Sequence, residues 1–195
     1  MLRDLRSAAI ALAVLTIGFG LALPAVFTGF AQVAFKSQAN GSLITQNGHV
    51  VGSKLAAQSF AKPQYFHERP SATAPAYNAG ATTFANLGPA SPDLAKNVAA
   101  AAAAILKLES PYNPGLTIGD IPVDAVTTSA SGIDPGISPA YARLQSKRVA
   151  AVRQLPLAAV QRLVAKYTNG RSLGLLGEPA VNVLELNLAL DKEGH

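Results

Sequence analysis

Residues 7–35 read SAAIALAVLTIGFGLALPAVFTGFAQVAF, 29 consecutive positions without a charged side chain. A bilayer's hydrocarbon core is ~30 Å thick, and a helix rising ~1.5 Å per residue crosses it with about 20 apolar residues. The run is long enough to span with margin, and the crossing is placed at about residues 8–31. Pro24 interrupts it, and membrane helices tolerate proline better than soluble ones do. Ahead of the run stands Met1-Leu2-Arg3-Asp4-Leu5-Arg6, a basic head expected to stay on the cytoplasmic side. Residues 1–35 therefore read as a cytoplasmic head and one transmembrane helix, and residues 36–195 as one extracytoplasmic domain. A cleaved signal peptide is the alternative, since Gly29-Phe30-Ala31 has the small-x-small pattern of a cleavage site. It puts the domain on the same side, but the apolar run is about twice the ~7–15 residues of a signal core.

The remaining chain is too polar, and too often broken by Pro and Gly, to cross again. Its length suits a single domain with a real core. The absence of cysteine excludes disulfides and thiolate-bound metals. The net charge is +5, and residues 143–171 hold seven basic side chains (Arg143, Lys147, Arg148, Arg153, Arg162, Lys166, Arg171) with no acidic ones. That segment reads either as a polyanion-binding face or as two solvated amphipathic helices. Few aromatics interleave the cations, so nothing supports a nucleic-acid platform.

Asn47-Gly48 is the dipeptide best suited to a two-residue type I′ turn. It lies between Ser42-Leu43-Ile44-Thr45 and His49-Val50-Val51, which predicts a hairpin. Residues 58–86 carry Pro63, Pro70, Pro75, Gly80 and several aromatics without a sustained period. They should form a long ordered loop, because Tyr65, Phe66, Tyr77 and Phe84 are costly to leave in water. Ser91-Pro92-Asp93 and Ser138-Pro139 are helix starts, predicting helices to about Leu108 and about Leu155. Pro156 opens a third helix, expected to end near Asn169-Gly170. The β-branched residues 123–128 suggest a strand. Residues 183–190 suggest another, with Leu184, Leu186, Leu188 and Leu190 on one face. The expected fold class is α+β, an antiparallel sheet covered by helices.

Catalytic patterns are missing. Gly48, Gly52, Ser53 and Lys54 fail the spacing of a phosphate loop, and Gly170, Gly174 and Gly177 fail that of a dinucleotide loop. His49, His67 and His195 show no ligand spacing, and His67-Glu68 alone is more often a surface pair than a metal site. Ser131-Gly132-Ile133-Asp134-Pro135 reads as a turn, with no nucleophile elbow around Ser129 or Ser131. Asn40-Gly41-Ser42 is a formal glycosylation sequon, irrelevant if the organism is bacterial. One spanning helix cannot line a polar route through a bilayer, so the leading class is a component of a membrane complex.

Several stretches carry a family resemblance. They are Tyr65-Phe66-His67-Glu68-Arg69-Pro70-Ser71-Ala72, Asn86-Leu87-Gly88-Pro89, Pro122-Val123-Asp124-Ala125-Val126-Thr127 and Ser131-Gly132-Ile133-Asp134-Pro135. Gln145, Arg148-Val149-Ala150 and Arg153 follow, and residues 177–191 read GEPAVNVLELNLALD. In this order the chain resembles the KdpC family of the Kdp high-affinity potassium-transporting P-type ATPase. The resemblance implies a non-catalytic accessory subunit in the bacterial inner membrane. Its partners would be a channel-like potassium-translocating subunit, an ATP-hydrolysing P-type subunit and membrane lipid. It also implies a catalytic chaperone that raises the ATP affinity of the hydrolysing subunit. The chain lacks the Asp-Lys-Thr-Gly-Thr phosphorylation motif, in keeping with an accessory role and no cofactor of its own.

The resemblance ties ATP, as a transient shared ligand, to two places. One is a Ser-Gly-Gly-Ser stretch that reads Thr82-Thr83-Phe84-Ala85 here. The other is the helix glutamine, present as Gln145. An exported domain would not meet cytoplasmic ATP, so Gln145 is read ahead of that as a structural residue or a partner contact. The family's His after Asp-Pro is replaced by Gly136. Tyr65, Phe66, His67 and Arg69 are the expected docking residues, because interfaces favour Tyr, Phe and Arg; the alternative is that they pack beneath the loop. Two other functions are weighed: an anchored exported module binding an anionic partner through residues 143–171, and an exported hydrolase with an unrecognised site.

Overall fold

A computed structural model describes residues 1–193; His195 lies outside the described residues. The chain divides into two compact units, one ending at Val51 and the other beginning at Gly52.

The first unit is dominated by one continuous helix, Leu2–Ala34, with none of its most apolar window buried. It is built from α1 (Leu2–Leu15), a π-helical stretch (Thr16–Ala22) and α2 (Leu23–Ala34). The π stretch has a local cause. Pro24 brings no N–H and would press its ring on the carbonyl four residues back, that of Gly20. Widening the preceding turn removes the clash, and the Leu23 amide bonds back to the Gly18 carbonyl. The helix is long and apolar enough to cross a membrane. A single turn, α3 (Lys36–Ala39), follows. The hairpin then forms from β1 (Leu43–Gln46) and β2 (His49–Ser53). Asn47 and Gly48 adopt φ of 50° and 79° in its turn, as a type I′ turn requires.

In the second unit the predicted loop is real: no helix or strand falls between Ser53 and Pro92. Ser91 then accepts a bond from the Leu94 amide and Pro92 opens α4 (Pro92–Glu109). Ser138 caps α6 (Pro139–Arg153) through the Tyr141 amide, and Pro156 precedes α7 (Leu157–Lys166). The sheet is small and antiparallel. Central β5 (Ala180–Asn182) pairs Val181 with Ile137 of β3 (Gly136–Ile137) on one side and with Thr168 of β4 (Thr168–Asn169) on the other. Phe66, Ile137, Val149, Val160, Val181, Leu186 and Leu190 meet in the core, which joins sheet, helices and loop. The α+β class with antiparallel pairing stands.

Three local expectations are corrected. Residues 183–190 form helix α8 (Val183–Glu193), not a strand. Asn182 ends β5 and caps the helix, its Oδ1 accepting from the Glu185 amide at 3.0 Å. The pattern Asn-x-x-Glu ahead of an apolar run is a helix-start signature. Leu184 and Leu186 are buried, as are Val183, Asn187 and Leu190 at helical spacing, whereas Leu188 is partly exposed. The alternating leucines hide a 3.6-residue period because six of the eight positions from 183 to 190 are apolar. Residues 123–126 form one helical turn, α5 (Val123–Val126), with Asp124 in its first turn accepting from the Ser138 amide and hydroxyl at 2.7 and 2.8 Å. Finally, α7 stops before Asn169-Gly170, since β4 pairs with β5 there.

The helical reading of the C-terminus is testable. Leu186→Ala should cost ~2–5 kcal/mol in denaturant unfolding, and Leu188→Ala distinctly less. Equal losses would instead restore a strand with both leucines on one buried face.

Candidate functional site

The residues singled out in the sequence converge on one place, where the extended segment around Tyr65–Arg69 lies between α6 and α8. Its backbone is satisfied by side-chain amides instead of a neighbouring strand. Asn187 Oδ1 accepts from the Phe66 amide at 2.9 Å, and its Nδ2 donates to the Phe66 carbonyl at 2.9 Å. Gln145 does the same one residue later. Its Oε1 accepts from the His67 amide at 2.7 Å, and its Nε2 donates to the His67 carbonyl at 3.0 Å. Both side chains are fully buried, so each replaces a ladder pair that the loop lacks.

Beneath this pairing lies a buried cation. Arg148, 0% exposed, donates from Nε to Glu109 Oε1 at 2.8 Å and from Nη2 to Gln145 Oε1 at 2.8 Å. Its Nη1 donates to the carbonyls of Pro63 and Tyr65. One guanidinium thus ties the end of α4, the middle of α6 and the loop together. Burial pushes the Glu109 carboxyl up while Arg148 pulls it down, with burial the larger effect. Glu109 Oε2 has no hydrogen-bond partner among the described residues. Burial, followed by the Arg148 charge, lowers the His67 pKa, so its ring favours the neutral form. The His67 ring faces the Lys62 carbonyl at 3.1 Å.

Around the rim, Tyr65 donates to Asp191 Oδ2 at 3.1 Å, and Arg153 donates to Asp191 Oδ1 at 2.7 Å and to the Gln64 carbonyl at 2.7 Å. The Arg153 guanidinium also lies 5.0 Å above the Tyr65 ring. Arg69 pairs with Asp134 at 3.1 Å and reaches the Thr128 carbonyl at 3.3 Å. Phe66 is fully buried, while Tyr65, His67 and Arg69 are partly exposed. The basic segment is therefore divided. Arg148, Arg153 and Arg171 pair with carboxylates within the chain and Lys166 lies 5.6 Å from the Tyr167 ring, whereas Arg143, Lys147 and Arg162 are exposed and outside these pairs.

Glu68 stands apart. It is buried, neither carboxyl oxygen has a hydrogen-bond partner among the described residues, and its pKa lies well above the ordinary 4.5. Burial is the main cause and the Asp134 charge the second, both outweighing the nearby Gln58 amide. The raised value of Tyr77, about 12, follows from burial and from Glu68.

Sequence reasoning finds Gln145 and the loop but misses Glu109 and Asn187. Glu109 ends an alanine-rich helix where a carboxylate looks solvated. Asn187 falls on the outward face if its segment is taken as a strand. A clue exists in both: a polar residue at a helical spacing that is otherwise apolar has to be satisfied when buried. Among the described residues no group of three His, Asp or Glu could hold a metal ion.

Two outcomes are expected here. Glu109→Ala should destabilise by ~3–5 kcal/mol by leaving Arg148 buried and unpaired, measured by denaturant unfolding. For Glu68 the folded state holds its proton more tightly than the unfolded chain. Stability is therefore lost as pH rises above 4.5 toward the folded-state pKa. Glu68→Gln should be more stable than the parent near neutral pH and equal to it near pH ~4; parallel pH profiles would contradict this.

The family described as "K+-transporting ATPase, c chain" matches residues 5–192. A protein of Beijerinckia indica named "Potassium-transporting ATPase KdpC subunit" is 50% identical over 98% of this chain and 94% of its own length. A protein of Burkholderia orbicola with the same name is 55% identical, over 91% and 90%. One from Methylococcus capsulatus is 48% identical over 98% of both.

Proposed function

Because the chain belongs to the K+-transporting ATPase c-chain family, we propose that it is the accessory subunit of an ATP-driven potassium uptake complex. In this reading Leu2–Ala34 crosses the bacterial inner membrane once, with Arg3 and Arg6 in the cytoplasm. The domain then lies outside, beside the multi-span subunit that carries potassium, while a separate P-type subunit hydrolyses ATP. The observation that carries the proposal is the pairing of one spanning-length helix with a domain whose buried Arg148, Glu109, Gln145 and Asn187 side chains are spent on its own fold. A lone helix offers no ion route, so transport has to reside in a partner.

Gln145 acts in this proposal as a brace for the loop and not as a nucleotide contact. Its oxygen and nitrogen already serve His67 and Arg148, and a phosphate would have to displace them. Phe84 stands where the family's Ser-Gly-Gly-Ser pattern has glycine, and a bulky side chain keeps backbone from approaching a phosphate. Any effect on ATP affinity then passes through the partner subunits. The partly exposed Tyr65, His67 and Arg69 remain a rim that a partner can touch, with Phe66 holding it from below.

Gentle solubilisation and capture through a C-terminal tag should bring down a multi-span channel-like protein and a P-type ATPase together. Capture of neither would overturn the proposal. In the same detergent, the full chain titrated with fluorescent ATP should show no saturable binding; saturation abolished by Gln145→Ala would restore the nucleotide role.

A further inference from the structure

The connection between β4 and β5 is a hydrogen-bonded finger. Beyond the pairs Thr168 with Val181 and Asn169 with Ala180, the two arms continue in step. Arg171 Nη2 donates to both oxygens of Glu178, at 2.7 and 2.8 Å. Further out, Ser172 pairs with Leu176, one residue out of register, and the extra residue is Gly177 at φ 80°. That is the geometry of a bulge with glycine in the left-handed region. The Ser172 amide donates to the Leu176 carbonyl at 2.8 Å, and the Leu176 amide returns a bond at 2.9 Å. At the tip Leu173 is 91% exposed, Leu175 80% and Leu176 63%.

Leucines so placed in water serve no purpose in the fold, and the Leu175 and Leu176 amides are already bonded to the Ser172 carbonyl. We propose that this tip, centred on Leu173, Leu175 and Leu176, plugs into an apolar socket on the multi-span partner protein; this rests on the function proposed above and names the element that docks. Charge decides against an anionic lipid surface: Arg171 neutralises Glu178, so the finger carries no net charge for headgroups to attract. Area decides against a second copy, because three side chains fall far short of the ~800 Å² per partner of a stable interface. A small plug suffices for a chain already confined to the same membrane, where effective concentration is high. Leu173 also sits at φ 54°, a strained conformation for leucine. A fluid bilayer would accept any apolar side chain in any conformation, whereas a shaped socket requires a fixed one.

The test places photoreactive p-benzoylphenylalanine at Leu175, and separately at exposed Gln161 of α7, in membranes holding the whole complex. The Leu175 probe should label the multi-span protein and the Gln161 probe should not. Labelling of lipid, of a second copy or of nothing from Leu175 overturns the proposal. If the tagged parent chain captures the multi-span protein while the Leu175 probe fails, the finger alone is refuted and the function stands. As a second measurement, a chain with Leu173, Leu175 and Leu176 each changed to Ser should melt like the parent. It should retain at least about tenfold less partner after washing; undiminished retention contradicts the plug.

Discussion

The guanidinium of Arg148 is the constraint on which the domain is arranged. A charge with no access to water is tolerated only where its donors are met and a counter-charge is close. Meeting that demand fixes the end of α4 through Glu109, the course of the loop through the Pro63 and Tyr65 carbonyls, and the rotamer of Gln145. Gln145 and Asn187 in turn hold Phe66 and His67 as a strand would be held, without a strand beside them. A proline-rich segment that periodicity cannot place is thereby fastened to two helices.

This arrangement accounts for the form of the proposed function. Groups that could have served chemistry are engaged in the fold: a buried arginine, glutamine and asparagine hold backbone, and a glutamate balances the arginine. What remains available is a rim of partly exposed Tyr65, His67 and Arg69, and a projecting hairpin with leucines at its tip. Such a domain is equipped to be held and to hold, which suits an accessory subunit. The Glu68 carboxyl, buried with no hydrogen-bond partner among the described residues, is the costly exception, and it lies in the same loop.

Much of the fold is legible where local chemistry determines it. Asn47-Gly48, Ser91-Pro92 and Ser138-Pro139 each state a backbone conformation by themselves, and the structure adopts each one. The C-terminal segment misleads because a mostly apolar run carries both periods at once, and only the Asn182 cap distinguishes them. The α5 turn misleads because β-branched residues favour a strand only where an edge is free to receive one, a tertiary fact. For the site, residue types draw attention to Gln145 and the loop. Their roles depend on long-range partners: Gln145 meets His67 across 78 positions and Asn187 meets Phe66 across 121. Arg148 looks like one of a row of surface cations, since sequence records its charge and not its depth.

The most direct measurement is amide hydrogen exchange at Phe66 and His67 in the full-length chain. If Gln145 and Asn187 bind that backbone as described, both amides exchange only on global unfolding, as slowly as the core of α6. Exchange at the rate of a free loop would contradict the account at its root.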